Sequence, residues 1–204
     1  MSTHQDRIET ALLADDWDRV GYEASEWARA LETAGEKDPR PYFALNVTHL
    51  IRGEFADAWR VYARALQETD DIERVREWVH SIADRHAGNA QTHLVQGLFL
   101  AQSGQSEQSM ASYKEAAKLA PQSPYPHYFL AQIHERAAHL EMAIKEYREA
   151  VKLAPTFAPA RTNLGVAYQE QGRLEMAIPQ YREVIKLNPH DALAHANLGC
   201  ALAE

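Results

Sequence analysis

The chain has 204 residues, enough for one large domain or two small ones with a continuous core. Apolar residues make up 46% and charged residues 25%, and the formal net charge of -8 argues against nucleic acid or an anionic membrane as the main partner. Cys200 is the only cysteine, so we expect no intrachain disulfide and no cysteine-based metal site. The first residues are polar, and no apolar run approaches the roughly 18–20 residues of a membrane span. We therefore expect a cytoplasmic protein with no membrane insertion.

Residues 1–70 predict two irregular helix pairs. The first pair covers residues 8–14 and 18–33, on either side of Asp15-Asp16-Trp17. Asp38-Pro39-Arg40-Pro41 is a helix breaker, and it precedes a predicted helix over 42–51. A turn and a second helix that starts near residue 55 complete the second pair.

Residues 71–89 predict a helix that joins two blocks. Val75, Val79 and Ile82 follow an apolar stripe on it. In one interpretation this helix is an addition between two blocks of repeats. In the other, residues 55–69 and 71–87 form a degenerate repeat that runs directly into residue 90, which we slightly prefer although it places Arg76 where a small residue belongs.

Residues 90–191 contain three units with a period of 34 residues. Pro121, Pro155 and Pro189 end equivalent phrases, and a tyrosine stands eight residues before each of them. Small residues recur with the same period in two further series. One series is Gly97, Ala131, Gly165 and Gly199, and the other is Gly104, Ala138 and Gly172. Within each unit the apolar spacing predicts two helices around a short turn, with proline after the second.

These units resemble the tetratricopeptide repeat family, most closely in Asn163-Leu164-Gly165, Tyr168, Gly172-Arg173, Ala177, Tyr181 and Pro189. The resemblance is strong over 90–191 and weaker over 1–89. It implies an all-α fold, a right-handed α-solenoid (superhelix) of antiparallel helix pairs, with about five pairs and a terminal helix. That terminal helix, 192–204, begins a partial repeat whose leucines and alanines lack a covering partner.

No residue pattern predicts a catalytic or metal site or a cofactor. His134 and His139 are five residues apart and so about 140° apart around a helix, whereas zinc ligands on one helix face are four apart. The phosphate-binding glycine loop and the hydrolase nucleophile elbow are also missing. We therefore expect a protein without enzymatic activity.

The resemblance also implies that the first helix of each pair lines a concave groove. The predicted peptide-binding residues are those of the first helices that face this groove: Gln91, Leu94, Tyr125, Tyr128, Phe129, Gln132, Thr162, Asn163, Val166, Gln169 and Asn197. Asn163 and Asn197 are similar to the asparagine ladder in the repeats of O-linked N-acetylglucosamine transferase and kinesin light chains, where an amide holds a peptide backbone. Phe129 is equally compatible with a core position.

The sequence thus predicts a protein–protein interaction scaffold that binds a peptide or a partner helix. Two alternatives stay open: a homo-oligomer assembled through the uncapped C-terminal helix, and the targeting region of a larger enzyme such as a glycosyltransferase.

Overall fold

The computed structural model describes residues 3–36, 38–52 and 72–203. These residues form eleven helices, and none of them lies in a strand. The predicted helix over 55–69 lies outside the described residues. None of the described helices combines the length and the apolar character that crossing a membrane requires. The chain divides into two compact units, unit 1 over residues 1–119 and unit 2 over residues 120–204.

Unit 1 contains six of the described helices. They are α1 (His4–Leu13), α2 (Trp17–Ala34), α3 (Arg40–Arg52), α4 (Ile72–Arg85), α5 (Ala90–Gln102) and α6 (Ser106–Leu119). Consecutive helices pack on each other from α1 to α3 and from α4 to α6. Val75, Val79 and Ile82, the predicted apolar stripe of α4, are buried. The boundary between the two units falls after Leu119, within the repeats of residues 90–191 rather than at their start.

The N-terminal helix of unit 1 also packs on helices far along the chain. Glu9 of α1 accepts hydrogen bonds at 2.8 Å from Arg85 and pairs at 2.9 Å with His86. The Asn89 amide donates to the carbonyl of Leu13, and α1 contacts α5. In a regular repeat stack each unit contacts only its neighbours. Unit 1 therefore departs from a simple stack.

Unit 2 contains the other five described helices. They are α7 (Tyr125–Arg136), α8 (Leu140–Leu153), α9 (Ala158–Glu170), α10 (Leu174–Leu187) and α11 (Ala192–Ala203). Each helix packs on the next from α7 to α11, and α9 also contacts α11. α8 and α10 end two residues before Pro155 and Pro189, because proline disfavours helical geometry in the residue before it.

The turn within each of the three repeats contains a left-handed residue. Gly104, Ala138 and Gly172 have φ angles of 76°, 58° and 70°. Glycine adopts this conformation without strain, whereas alanine carries a Cβ that opposes it. The repeated small residues of the sequence are therefore explained by backbone geometry.

The second small-residue series packs against the repeated tyrosines. A Cβ on Gly97 would lie 2.4 Å from the Tyr113 ring, and one on Gly165 would lie 2.5 Å from the Tyr181 ring. Both rings are fully buried. The recurring small residues thus leave the space that the recurring rings fill, and the predicted all-α fold of paired helices is confirmed.

Candidate functional site

The candidate site lies on the first helices of the repeats in unit 2. On α9, Thr162, Asn163, Val166 and Gln169 are half-buried and follow helical spacing along one side. The repeat places three more half-buried residues at corresponding positions, Gln132 and Glu135 on α7 and Asn197 on α11. We call these seven residues the first-helix face.

Asn163 and Glu135 are held together by one tyrosine hydroxyl. The Tyr147 hydroxyl, from α8, donates a hydrogen bond to Glu135 Oε2 at 2.7 Å. Asn163 Nδ2 donates to the same hydroxyl oxygen at 3.2 Å. A side chain from each of three helices thus meets at this point.

Two further tyrosines hold glutamines of the same face. Gln132 Nε2 donates to the Tyr128 hydroxyl at 3.1 Å. The Tyr181 hydroxyl donates to Gln169 Oε1 at 3.1 Å. Each of these tyrosine rings is fully buried, so each glutamine is positioned by a rigid partner.

Burial keeps the hydroxyls of the network protonated. Desolvation raises the pKa of Tyr128 and of Tyr147 well above the usual value, and the negative charge of Glu135 raises both further. A hydrogen bond from Asn163 opposes the rise at both residues. The Asn163 nitrogen is thus engaged by tyrosines, which leaves its Oδ1 to accept a hydrogen bond from a ligand.

Two of the predicted aromatic anchors lie in the core instead. Tyr128 is 0% and Phe129 3% exposed. The Tyr128 ring lies 5.1 Å from the Phe129 ring and 5.0 Å from the ring of Phe157, the residue just before α9. Tyr125 is half-buried with its ring 5.6 Å from Phe157. A ring without exposed surface cannot contact a ligand unless the core repacks.

The two predicted residues of unit 1 lie on α5. Leu94 is buried and belongs to the core of that unit, whereas Gln91 is half-buried. Leu94, like Tyr128 and Phe129, is predicted by the sequence to face the ligand but instead packs in the core, where an apolar side chain is shielded from water.

Glu135 is the residue of the face that the sequence interpretation missed. It stands twelve residues before Tyr147, as Gln169 stands twelve before Tyr181. That spacing, together with the tyrosine period, is a signal that reasoning from the repeat could have used.

The described residues contain no cluster of three or more His, Cys, Asp or Glu side chains placed to hold a metal ion. The His134 and His139 rings lie 6.3 Å apart at their centroids.

Comparison with family models gives three matches. Residues 90–123 and 158–191 match models described as tetratricopeptide repeat, and residues 139–172 match one described as TPR repeat. No curated protein sequence matches the chain significantly.

Solved structures similar to the chain include TTC0263, a TPR protein of Thermus thermophilus, with 20% identity, coverage of 97% of both chains and a TM-score of 0.60. A MamA structure has 21% identity and a TM-score of 0.57, and covers 78% of this chain and 83% of its own. The first TPR of Spaghetti (RPAP3), bound to the HSP90 peptide SRMEEVD, has 23% identity and a TM-score of 0.53, and covers 56% of this chain and 94% of its own. These similarities confirm the predicted α-solenoid of helix pairs.

Proposed function

Because the chain belongs to the tetratricopeptide repeat family, with its matches in residues 90–191, we propose that it is a non-catalytic protein-interaction scaffold. We propose further that the first-helix face of unit 2 binds an extended peptide. The similar RPAP3 domain was solved with a peptide, which supports this class of ligand.

The amide of Asn163 carries the proposal. Its nitrogen is held by Tyr147, so its carbonyl oxygen has a set direction before any ligand arrives. A side chain fixed in this way loses little rotamer freedom on binding, and binding is correspondingly stronger. A backbone N–H of the peptide would donate to Asn163 Oδ1, and Asn197 would repeat the contact one unit further along.

The remaining face residues favour an extended segment that is held by its backbone. Thr162, Gln132 and Gln169 offer polar groups, and Val166 offers an apolar contact. The face contains no Lys or Arg, so it lacks the basic residues that would clamp a terminal carboxylate. A peptide bound internally, rather than by its C-terminus, fits this composition.

Selection from a random peptide library displayed on phage, with the full chain as the target, tests the proposal. Affinities of the selected peptides would then be measured for the wild type and for the Asn163→Ala/Asn197→Ala double variant. We expect a loss of about tenfold or more, since each lost hydrogen bond contributes about 1 kcal/mol. Gln122→Ala, at an exposed loop position of the same unit, is the matched control.

The double variant must stay folded for this comparison to have meaning. Losing the hydrogen bonds of Asn163 to Tyr147 and Tyr128 costs about 1 kcal/mol of stability each, because the Tyr147 hydroxyl keeps its bond to Glu135 and the Tyr128 hydroxyl keeps its bond from Gln132. Circular dichroism should therefore show unchanged helix content. Peptides that bind the folded double variant as tightly as the wild type would reject the site.

Self-association through α11 is a second candidate function, favoured by the exposed leucines on that helix. Leu193 is 61% and Leu202 59% exposed, and α11 contains no Asp, Glu, Lys or Arg. Sedimentation over a wide concentration range should then show a dimer or larger species, which Leu193→Gln/Leu202→Gln would abolish. A wild-type chain that stays monomeric at high concentration contradicts this function.

A further inference from the structure

We propose that the first-helix face of unit 2 selects peptides with a lysine or arginine, and that Glu135 is the residue that recognises the positive charge. This inference rests on the proposed peptide-binding function and names the ligand chemistry of that same site.

The position of Glu135 relative to Asn163 is the first argument. Both side chains bond to the Tyr147 hydroxyl, at 2.7 Å and 3.2 Å, so the carboxylate and the amide are separated by a single oxygen atom. A peptide residue whose N–H donates to Asn163 therefore lies beside the carboxylate. A long basic side chain at that residue or the next one reaches it.

The availability of the carboxylate is the second argument. Among the described residues no Lys, Arg or His forms an ion pair with Glu135, whereas Glu146 pairs with His127 and Glu141 pairs with Arg173. Arg136 follows Glu135 directly, but successive residues point about 100° apart around a helix, and the two form no pair. Tyr147 occupies Oε2, which leaves the lone pairs of Oε1 for a ligand.

The neighbouring repeat supplies the third argument. Gln169 stands relative to Tyr181 as Glu135 stands relative to Tyr147, and its Oε1 accepts a hydrogen bond from the Tyr181 hydroxyl at 3.1 Å. A neutral amide is thus sufficient for the tyrosine hydrogen bond, and the negative charge of Glu135 is not needed for it. A half-buried carboxylate forms stronger hydrogen bonds with a cationic donor than with a neutral one, and arginine can bind it through two parallel bonds.

The test uses the same phage-displayed library on four forms of the full chain: wild type, Glu135→Gln, Gln169→Glu and Glu149→Gln. Glu135→Gln copies the natural Gln169–Tyr181 pair, so it removes the charge and keeps the fold. Glu149→Gln removes one negative charge from the exposed pair with Lys152 and serves as the control.

We expect Lys and Arg to be enriched at one peptide position on the wild type and on Glu149→Gln, but not on Glu135→Gln. The affinity of a wild-type-selected peptide should fall about tenfold with Glu135→Gln, and about equally when its basic residue becomes alanine. In the combined change the second loss should add little. Gln169→Glu should create a second preferred basic position one repeat away.

Peptides that require Asn163 and Asn197 but show no basic preference would overturn this inference and leave the proposed function standing. Equal affinity for wild type and Glu135→Gln would do the same. If no selected peptide requires the two asparagines, the proposed function fails, and the inference fails with it.

Discussion

Replacing Gly165 and Gly199 with alanine tests the packing of the repeats, because the two glycines are 34 residues apart and differ in what covers them. A Cβ on Gly165 would lie 2.5 Å, 2.9 Å and 3.0 Å from three atoms of the Tyr181 ring. A Cβ on Gly199 would meet no described atom within 4 Å. Both glycines lie inside helices, α9 and α11.

The expected magnitude follows from this contrast. Alanine favours a helix over glycine by about 1 kcal/mol at either position, so this gain cancels when the two variants are compared. The Tyr181 ring is fully buried and bonded to Gln169, so it cannot move aside without loss, and overpacking of this kind costs about 1–3 kcal/mol. Gly165→Ala should therefore be about 1–3 kcal/mol less stable than Gly199→Ala.

Urea unfolding followed by circular dichroism at 222 nm measures this difference, provided that the m-values of the two variants agree. Ala131 stands at the equivalent position of the preceding repeat and is fully buried, as is Tyr147, so an alanine is tolerated there and the expected cost lies toward the lower end of that range. Gly199→Ala should equal or exceed the wild type. If Gly165→Ala proves as stable as Gly199→Ala, the contact of glycine with the Tyr181 ring is not a packing constraint.

Ala138→Gly should stabilise the chain by up to about 1 kcal/mol in thermal unfolding, because φ there is 58°, and Gly172→Ala should destabilise it by a similar amount; the opposite signs would contradict the strain argument. The hydrogen bond from His127 lowers the pKa of Glu146, so its stabilisation is present above pH 4.5 and is lost as the pH falls through the lowered pKa. Glu146→Gln should then be less stable than wild type at pH 7 by under about 1 kcal/mol, with the gap closing as the pH falls below 4.5, and a gap that is constant with pH would refute this. Glu9→Gln should raise hydrogen exchange in α1 selectively, and unchanged exchange would show that its contacts with residues 85 and 86 do not anchor the helix.

The architecture of the repeats could be predicted because it depends on local spacing. The 34-residue period, the tyrosines and the repeat-ending prolines each have a local physical cause: rings fill the space above Gly97 and Gly165, and α8 and α10 end before Pro155 and Pro189. The anchoring of α1 could not be predicted in this way. Glu9 meets residues more than 70 positions away, and no periodic pattern carries that information.

The candidate site was predictable in position but not in detail. Asn163 and Gln169 are both half-buried on one side of α9, where the repeat period predicts them, since equivalent positions in a repeat share a face; their contact with a ligand stays a prediction. Tyr128 packs against Phe157, which lies in the loop before α9, and the helical spacing of apolar residues does not predict a contact with a loop residue. Glu135 becomes recognisable only once Tyr147 is seen to join it to Asn163, which is a contact among three helices.

Isothermal titration of a library-selected peptide into the wild type and into Asn163→Ala/Asn197→Ala tests the central claim most directly. The proposed site predicts that the double variant binds at least about tenfold more weakly while its helix content is unchanged. Equal dissociation constants for the two folded proteins would show that the first-helix face of unit 2 is not where this chain binds peptides.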